Sequence, residues 1–153
     1  MDAVDRKILA LLQEDASLSI EKIATKVHLS STPCWKRIRR LEKDGVIQKR
    51  VALLDAEKVG AGVTVFVAIK TNQHNREWLD HFASSVEDMP EILDFYRMSG
   101  EIDYLLRVVV SDIAAFDDFY QRLISRVPLS DVTSSFAMEK IKHTTALPIA
   151  TIE

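Results

Sequence analysis

Apolar residues recur at helical spacing three times before residue 45. Val4, Ile8, Leu11 and Leu12 form the first stripe, spaced as one face of a helix requires. Asp2 or Asp5 can cap this helix and suits its positive end. The run Glu14-Asp15-Ala16-Ser17 ends it, and Ser19 is the N-cap candidate of a second helix with Ile20, Ile23, Ala24 and Val27 on one face. A short turn, His28-Leu29-Ser30, leads to a third helix that starts near 31–33 and ends at Gly45. Pro33 is tolerated in a first helical turn, and glycine suits the position after a last one.

Beyond residue 45 the period changes. The stretch 46–62 reads as a connector, with short strands expected at Val46-Ile47 and 51–54. From Val63 to Lys70, Val63, Val65, Val67 and Ile69 alternate with Thr64, Phe66, Ala68 and Lys70, the pattern of a strand buried on both faces. Trp78, Leu79, Phe82, Ala83 and Val86 form a helical stripe that Met89-Pro90 stops. Strands are expected at 92–98 and 104–110, a helix carrying Phe116, Phe119, Tyr120, Leu123 and Ile124, and a last strand at 132–142. The order βαββαβ predicts a ferredoxin-like domain, so the chain is α+β: a winged-helix-like helix-turn-helix followed by that domain. The expected division is 1–50, a linker 51–62, and 63–153. With both helices on one face of the sheet, the other face needs a cover, and a second copy of the domain is the simplest one.

Charge sharpens this division. The net charge of −3 argues against a nucleic-acid partner, but its distribution argues for one. Residues 1–50 carry 11 Lys and Arg against 7 Asp and Glu, while residues 51–153 carry 9 against 16. An acidic body with one basic patch orients itself on a polyanion. No apolar run approaches the ~18 residues of a membrane span, and the start MDAVDRK lacks a signal-peptide core, so a cytoplasmic protein is expected. The single cysteine, Cys34, rules out an internal disulfide.

On a wheel of ~100° per residue, Ile38 and Leu41 fall within about 40° of Cys34. Lys36, Arg39, Arg40 and Lys43 fall on the opposite side, with Thr32 near the N-terminus of that side. A charged face opposite an apolar stripe is usually only solvated. Here the helix is third in a compact trihelical unit, and no acid interrupts those four bases, whereas solvated helices usually mix signs. A recognition helix in the major groove needs this segregation: N-terminal residues reach base edges and later bases meet phosphates. The candidate contacts with double-stranded DNA are Ser31, Thr32, Pro33, Lys36, Arg37, Arg39, Arg40 and Lys43. Trp35, beside the basic face, can pack against the first helix or touch the DNA backbone, with packing the favoured reading, and Cys34 is expected to be a core thiol.

The stretch DRKILALLQEDASLSIEKIATKVHLSSTPCWKRIRRLEKDGVI resembles the helix-turn-helix of the Lrp/AsnC (feast/famine) regulators. It carries their D-x-x-I-L-x-x-L opening and L-S-x-x-P-C-x-x-R-I-x-R-L-E-x-x-G-V-I ending, and Gly100-Glu101-Ile102-Asp103-Tyr104 is similar to their G-x-x-D-Y turn. The segments VALLD, VTSSFAMEKIK and TTALP are similar to a subgroup that includes a cysteine-responsive regulator. One departure is Pro128-Leu129, where members often have Pro-Gly. The resemblance implies a transcriptional regulator of amino-acid metabolism, homodimeric and assembled further, as in an octamer. It also implies that the turn lies in an effector pocket between dimers. An amino-acid effector needs a carboxylate for its ammonium and donors for its carboxylate. The candidates are Met98, Gly100, Glu101, Ile102, Asp103 and Tyr104 with the hydroxyls of Thr133, Ser134 and Ser135. Read from residues alone, Gly-x-x-Asp between strands is an ordinary turn.

Two alternatives stand beside this reading: a small-molecule metabolic enzyme on a ferredoxin-like domain, and an effector-binding module whose N-terminal helices bind protein. The first lacks a base partner for Glu101 and Asp103, and the second does not need a sign-segregated helix. His28, His74, His81 and His143 show no metal-ligand spacing, and no phosphate loop or nucleophile elbow occurs, so neither metal nor cofactor is expected.

Overall fold

A computed structural model describes residues 1–150. The last three positions of the domain read as 63–153 lie outside the described residues. The chain forms two compact units, Met1–Leu53 with the chain from Ile141 onward, and Leu54–Lys140.

In the first unit, α1 (Ala3–Glu14), α2 (Ile20–Lys26) and α3 (Ser31–Lys43) enclose a core of Ile8, Ile23, Ala24, Val27, Cys34 and Ile38. Asp2 and Asp5 start α1 as a reciprocal pair: Asp2 accepts from the Asp5 N–H at 2.9 Å, and Asp5 accepts from the Asp2 N–H at 3.0 Å. Two of the helix's orphan donors are thereby satisfied. Ser19 caps α2, its hydroxyl accepting from the Lys22 N–H. His28 then takes a left-handed φ of 57°, and the Leu29 N–H donates back to the Ala24 carbonyl at 2.9 Å. That bond closes α2 and turns the chain sharply into α3. Gly45, at φ 73°, does the same after α3, where a side chain would be strained.

The strands expected at Val46-Ile47 and 51–54 do not form. Ile47 instead packs on the helical core, while Val46, Val51, Leu53 and Leu54 are exposed and have no ladder partner among the described residues. The terminal segment lies along α1. The Gln13 amide donates to the Leu147 carbonyl at 3.2 Å and accepts from its N–H at 2.7 Å, and Arg6 donates to the Ile149 carbonyl at 3.0 Å.

The second unit is a four-stranded antiparallel sheet with α4 (Arg76–Val86) and α5 (Ile113–Arg126) on one face. Its strands are β1 (Val63–Lys70), β2 (Ile92–Arg97), β3 (Tyr104–Val110) and β4 (Asp131–Phe136), in spatial order β2-β3-β1-β4. The last strand ends at Phe136 and not at 142. Val65, Val67, Ile69, Leu106 and Val108 pack on Phe82, Phe119 and Leu123 in the core. Each such large side chain contributes roughly 1.5–3 kcal/mol by burial. The opposite face is open in the single chain. Phe66 sits across from Arg107 and Ser135, and Ala68 across from Leu105 and Thr133, so β1 is buried on one face only. Phe66 is 39% exposed and Tyr96 52%. Arg107 and Asp94 form an ion pair on this face.

Candidate functional site

The face of α3 read as basic divides into two sets. Lys36 and Lys43 are exposed and have no partner among the described residues. Arg39 is exposed, its guanidinium 6.0 Å from the centre of the Trp35 ring and 3.1 Å from the Glu42 carboxylate. Glu42 also holds Arg50 at 2.9 Å, so an acid from the flank reaches this face after all. Ser31, Thr32 and Pro33 are exposed in the first turn. Ser30 caps α3 without a side-chain hydrogen bond, which leaves its hydroxyl uncommitted to the helix end.

Arg37 and Arg40 turn back toward α1. The Asp5 carboxylate, 1% exposed, takes Arg37 on one oxygen at 2.9 Å and Arg40 on the other at 2.6 Å, and Asp2 takes Arg37 at 2.6 Å. Burial pushes the Asp5 carboxyl up, but the Asp2 N–H and Arg37 outweigh it and hold the group below the ordinary carboxylate range. The Asp5 N–H and then Arg37 lower Asp2 to about 2. These two carboxylates fix α3 against α1 and neutralise two of its arginines. Asp2 and Asp5 were legible as caps; their reach to residues some 32–35 positions away was not. Burial pushes the Cys34 thiol up, so it is a packed and unreactive core group. Trp35 departs from its expected packing: it is 49% exposed.

In the second unit, the loop between β2 and β3 is closed by the Met98 N–H donating to the Asp103 carbonyl at 2.8 Å. Gly100, at φ 124°, makes the bend. Asp103 accepts from the Thr71 N–H at 2.8 Å and lies 3.5 Å from His74 Nδ1, so it ties this loop to the segment leading into α4. A recess of about 160 Å³ opens here, lined by His74, Asn75, Arg76, Arg97, Met98, Asp103 and Tyr104. The sequence reading missed His74, Asn75, Arg76 and Arg97, which lie on neighbouring elements. Glu101 points away into solvent, near Lys70 at 3.7 Å, and Ile102 is half-buried.

The three hydroxyls do not converge on this loop within one chain. Ser134 lies opposite Val67 on the helix-packed face, while Thr133 and Ser135 lie on the open face. Tyr104 pairs with Ile69 and Val132 pairs with the same residue from the other side, so β1 separates β4 from the loop. That is two strand spacings, about 10 Å. Among the described residues, no group of three His, Cys, Asp or Glu is placed to hold a metal, and no helix is long and apolar enough to cross a membrane.

Comparison with known proteins is consistent with both units. Residues 1–48 match a family model described as a winged helix-turn-helix DNA-binding domain, and residues 64–147 match the Lrp/AsnC ligand binding domain. The chain is 58% identical over 150 residues to the DNA-binding transcriptional activator DecR of Escherichia coli K12, covering 97% of this chain and 99% of that one. It is 49% identical to the glutamate uptake regulatory protein of Zymomonas mobilis, covering 97% and 91%. Among solved structures, an AsnC family transcriptional regulator from Agrobacterium tumefaciens superposes with TM-score 0.95 at 58% identity, over 98% of each chain. A transcriptional regulator from Neisseria meningitidis in complex with L-Met superposes with TM-score 0.91 at 37% identity, over 97% of each chain.

Proposed function

This chain belongs to the Lrp/AsnC family of DNA-binding transcriptional regulators, and from that premise we propose that α3 lies in the major groove of its operator while the recess at the β2–β3 loop takes a small amino acid. The enzyme alternative falls away, since the relatives it matches are regulators. The observation that carries the DNA reading is the outward face of α3, where Lys36 and Lys43 have no protein partner and Arg39 stands beside them. Unpaired Lys and Arg side chains on one face of a helix can serve as phosphate ligands, since each contact releases a condensed counterion. Arg37 and Arg40 act from behind, as the anchors of that helix on Asp5.

Gel-shift titration of an operator selected from genomic fragments tests this reading. Lys36→Ala and Arg39→Ala should each weaken binding to operator and random DNA alike. Unchanged affinity in both would remove α3 from the interface.

The recess supplies both halves of amino-acid recognition. Asp103 offers a carboxylate to the ammonium, and Arg97 offers a guanidinium to the carboxylate. The neighbour solved with L-Met supports an amino acid as the ligand class; cysteine is the first candidate on subgroup resemblance. Thr133 and Ser135 enter this site from a neighbouring copy, in a ring of dimers such as an octamer. Asp103→Asn retains an oxygen for the Thr71 N–H and removes the charge. It should weaken the bound amino acid by about tenfold or more, the scale of a lost charge-assisted hydrogen bond, and leave effector-free DNA binding intact. Calorimetry with the amino acid found by thermal-shift screening of all twenty reads this. An unchanged dissociation constant makes the loop purely structural.

The open sheet face supports a two-fold dimer. Phe66, Tyr96, Leu105 and Val109 present apolar surface there, and monomers seldom leave a large contiguous patch uncovered. A two-fold pair carries two reading helices, so its operator is a rough palindrome.

A further inference from the structure

Trp35 is the fifth residue of α3, in the half of a recognition helix that approaches base edges. It is 49% exposed, while the only other tryptophan, Trp78, is 9% exposed inside the second unit's core. An indole seldom faces water without a partner, because it is the largest apolar group a chain can expose. The wheel places Trp35 within about 60° of both Thr32 and Arg39, so all three share one strip of the outward face. The Arg39 guanidinium lies over the ring, 6.0 Å from its centre, and Glu42 holds that guanidinium from the C-terminal side at 3.1 Å. The indole is therefore steadied from one side by Arg39, while about half of it stays exposed on the outward face.

Apolar side chains in the major groove have one specific target, the 5-methyl group of thymine, which no other base of DNA displays. We infer that Trp35 is a sequence-reading residue of this regulator, packing its indole on a thymine methyl in each half of the operator. This rests on α3 being the DNA-facing helix. It goes further in assigning selectivity to an apolar contact among the bases. Lys36 and Lys43 grip any sequence, and Trp35 ranks the sequences they grip.

The test uses the full-length protein and an operator selected from genomic fragments. Replacing thymine by uracil one position at a time removes only the methyl group. One position in each half should cost about fourfold, the worth of one buried methyl. Trp35→Ala should weaken operator binding about tenfold or more and leave random-sequence binding and its salt dependence unchanged. In Trp35→Ala the sensitive uracil substitutions should then cost nothing further. Tryptophan emission gives a second readout, because Trp35→Phe leaves only the core Trp78. Operator should quench the wild-type emission and leave that of Trp35→Phe unchanged. Wild-type operator affinity in Trp35→Ala, or uracil losses of the same size in wild type and Trp35→Ala, overturns the inference. Lys36→Ala and Arg39→Ala separate the two levels. If they weaken binding while Trp35→Ala does not, α3 faces DNA and only the role of Trp35 fails. If none of the three matters, α3 itself is not the reading element.

Discussion

Asp5→Ala should lower the thermal stability of the first unit more than any exposed substitution in it, and should reduce operator affinity although Asp5 itself meets no DNA. Asp5 is 1% exposed and holds Arg37 and Arg40 on its two oxygens, while its side chain also accepts the Asp2 N–H. Breaking a wholly buried ion pair costs about 3–5 kcal/mol. Arg37 and Arg40 are 28% and 51% exposed and rehydrate in part, so a loss of about 2–3 kcal/mol is expected. Asp5→Asn should cost less, because an amide oxygen still accepts the Asp2 N–H and one arginine. The same network sets an acid limit. The folded-state carboxyls of Asp5 and Asp2 lie below their unfolded values, so their stabilisation is complete above the ordinary carboxylate range. It is lost as pH falls from that range toward about 2, the value at Asp2. Thermal unfolding followed from pH 7 to pH 2 should show this decline for the wild type and a flatter one for Asp5→Asn. Equal slopes would mean that the ion pairs do not hold α3 in solution.

The second large effect is expected on the open sheet face. Phe66 sits near its middle, across from Arg107 on β3 and Ser135 on β4. Phe66→Glu would place a charge in the proposed dimer contact, across from Arg107, whose charge Asp94 already pairs. Light scattering at micromolar concentration should give a dimer or a larger assembly of dimers for the wild type, and for the variant loss of that pair, down to the 17.3 kDa monomer. Operator affinity should fall by about a hundredfold or more, since linked half-sites gain roughly that factor from effective concentration. The variant should still fold, because Phe66 lies outside the packed core, and its unfolding should shift only by the stabilisation that association contributes. A Phe66→Glu protein that remains dimeric would place the self-association elsewhere.

Local period carried most of what the sequence made legible. Cys34, Ile38 and Leu41 are buried as the wheel requires, and Ser19 and Asp2 cap the helices they precede. What remained hidden depends on residues far apart in the chain. Arg40 shares the basic side of the wheel with Arg39 and Arg37 falls between that side and the apolar stripe, and only the fold reveals that Asp5 claims both. The apolar residues at 51–54 read as a strand, but a strand needs a neighbour, and they pair with none among the described residues. Thr133, Ser134 and Ser135 are adjacent in sequence, yet the two-residue period of β4 sends Ser134 to one face and its neighbours to the other. The recess at the β2–β3 loop was half legible: its loop carries the Gly100 and Asp103 signal, while Arg97 and Arg76 come from a strand end and a helix start with no signal of their own. Trp35 was misplaced because an aromatic residue beside an apolar stripe is usually part of it; its position on the wheel, nearer Arg39 than Ile38, pointed outward.

The account rests on one face of one helix meeting phosphate, and the salt dependence of operator binding reads that face directly. For the wild-type dimer and the triple variant Lys36→Ala, Arg39→Ala, Lys43→Ala, log K against log salt should be linear. Six lost contacts per dimer should make the variant's slope shallower by about 5, at ~0.9 per phosphate. A triple variant with the wild-type slope and affinity would contradict the assignment of α3 as the helix that holds DNA.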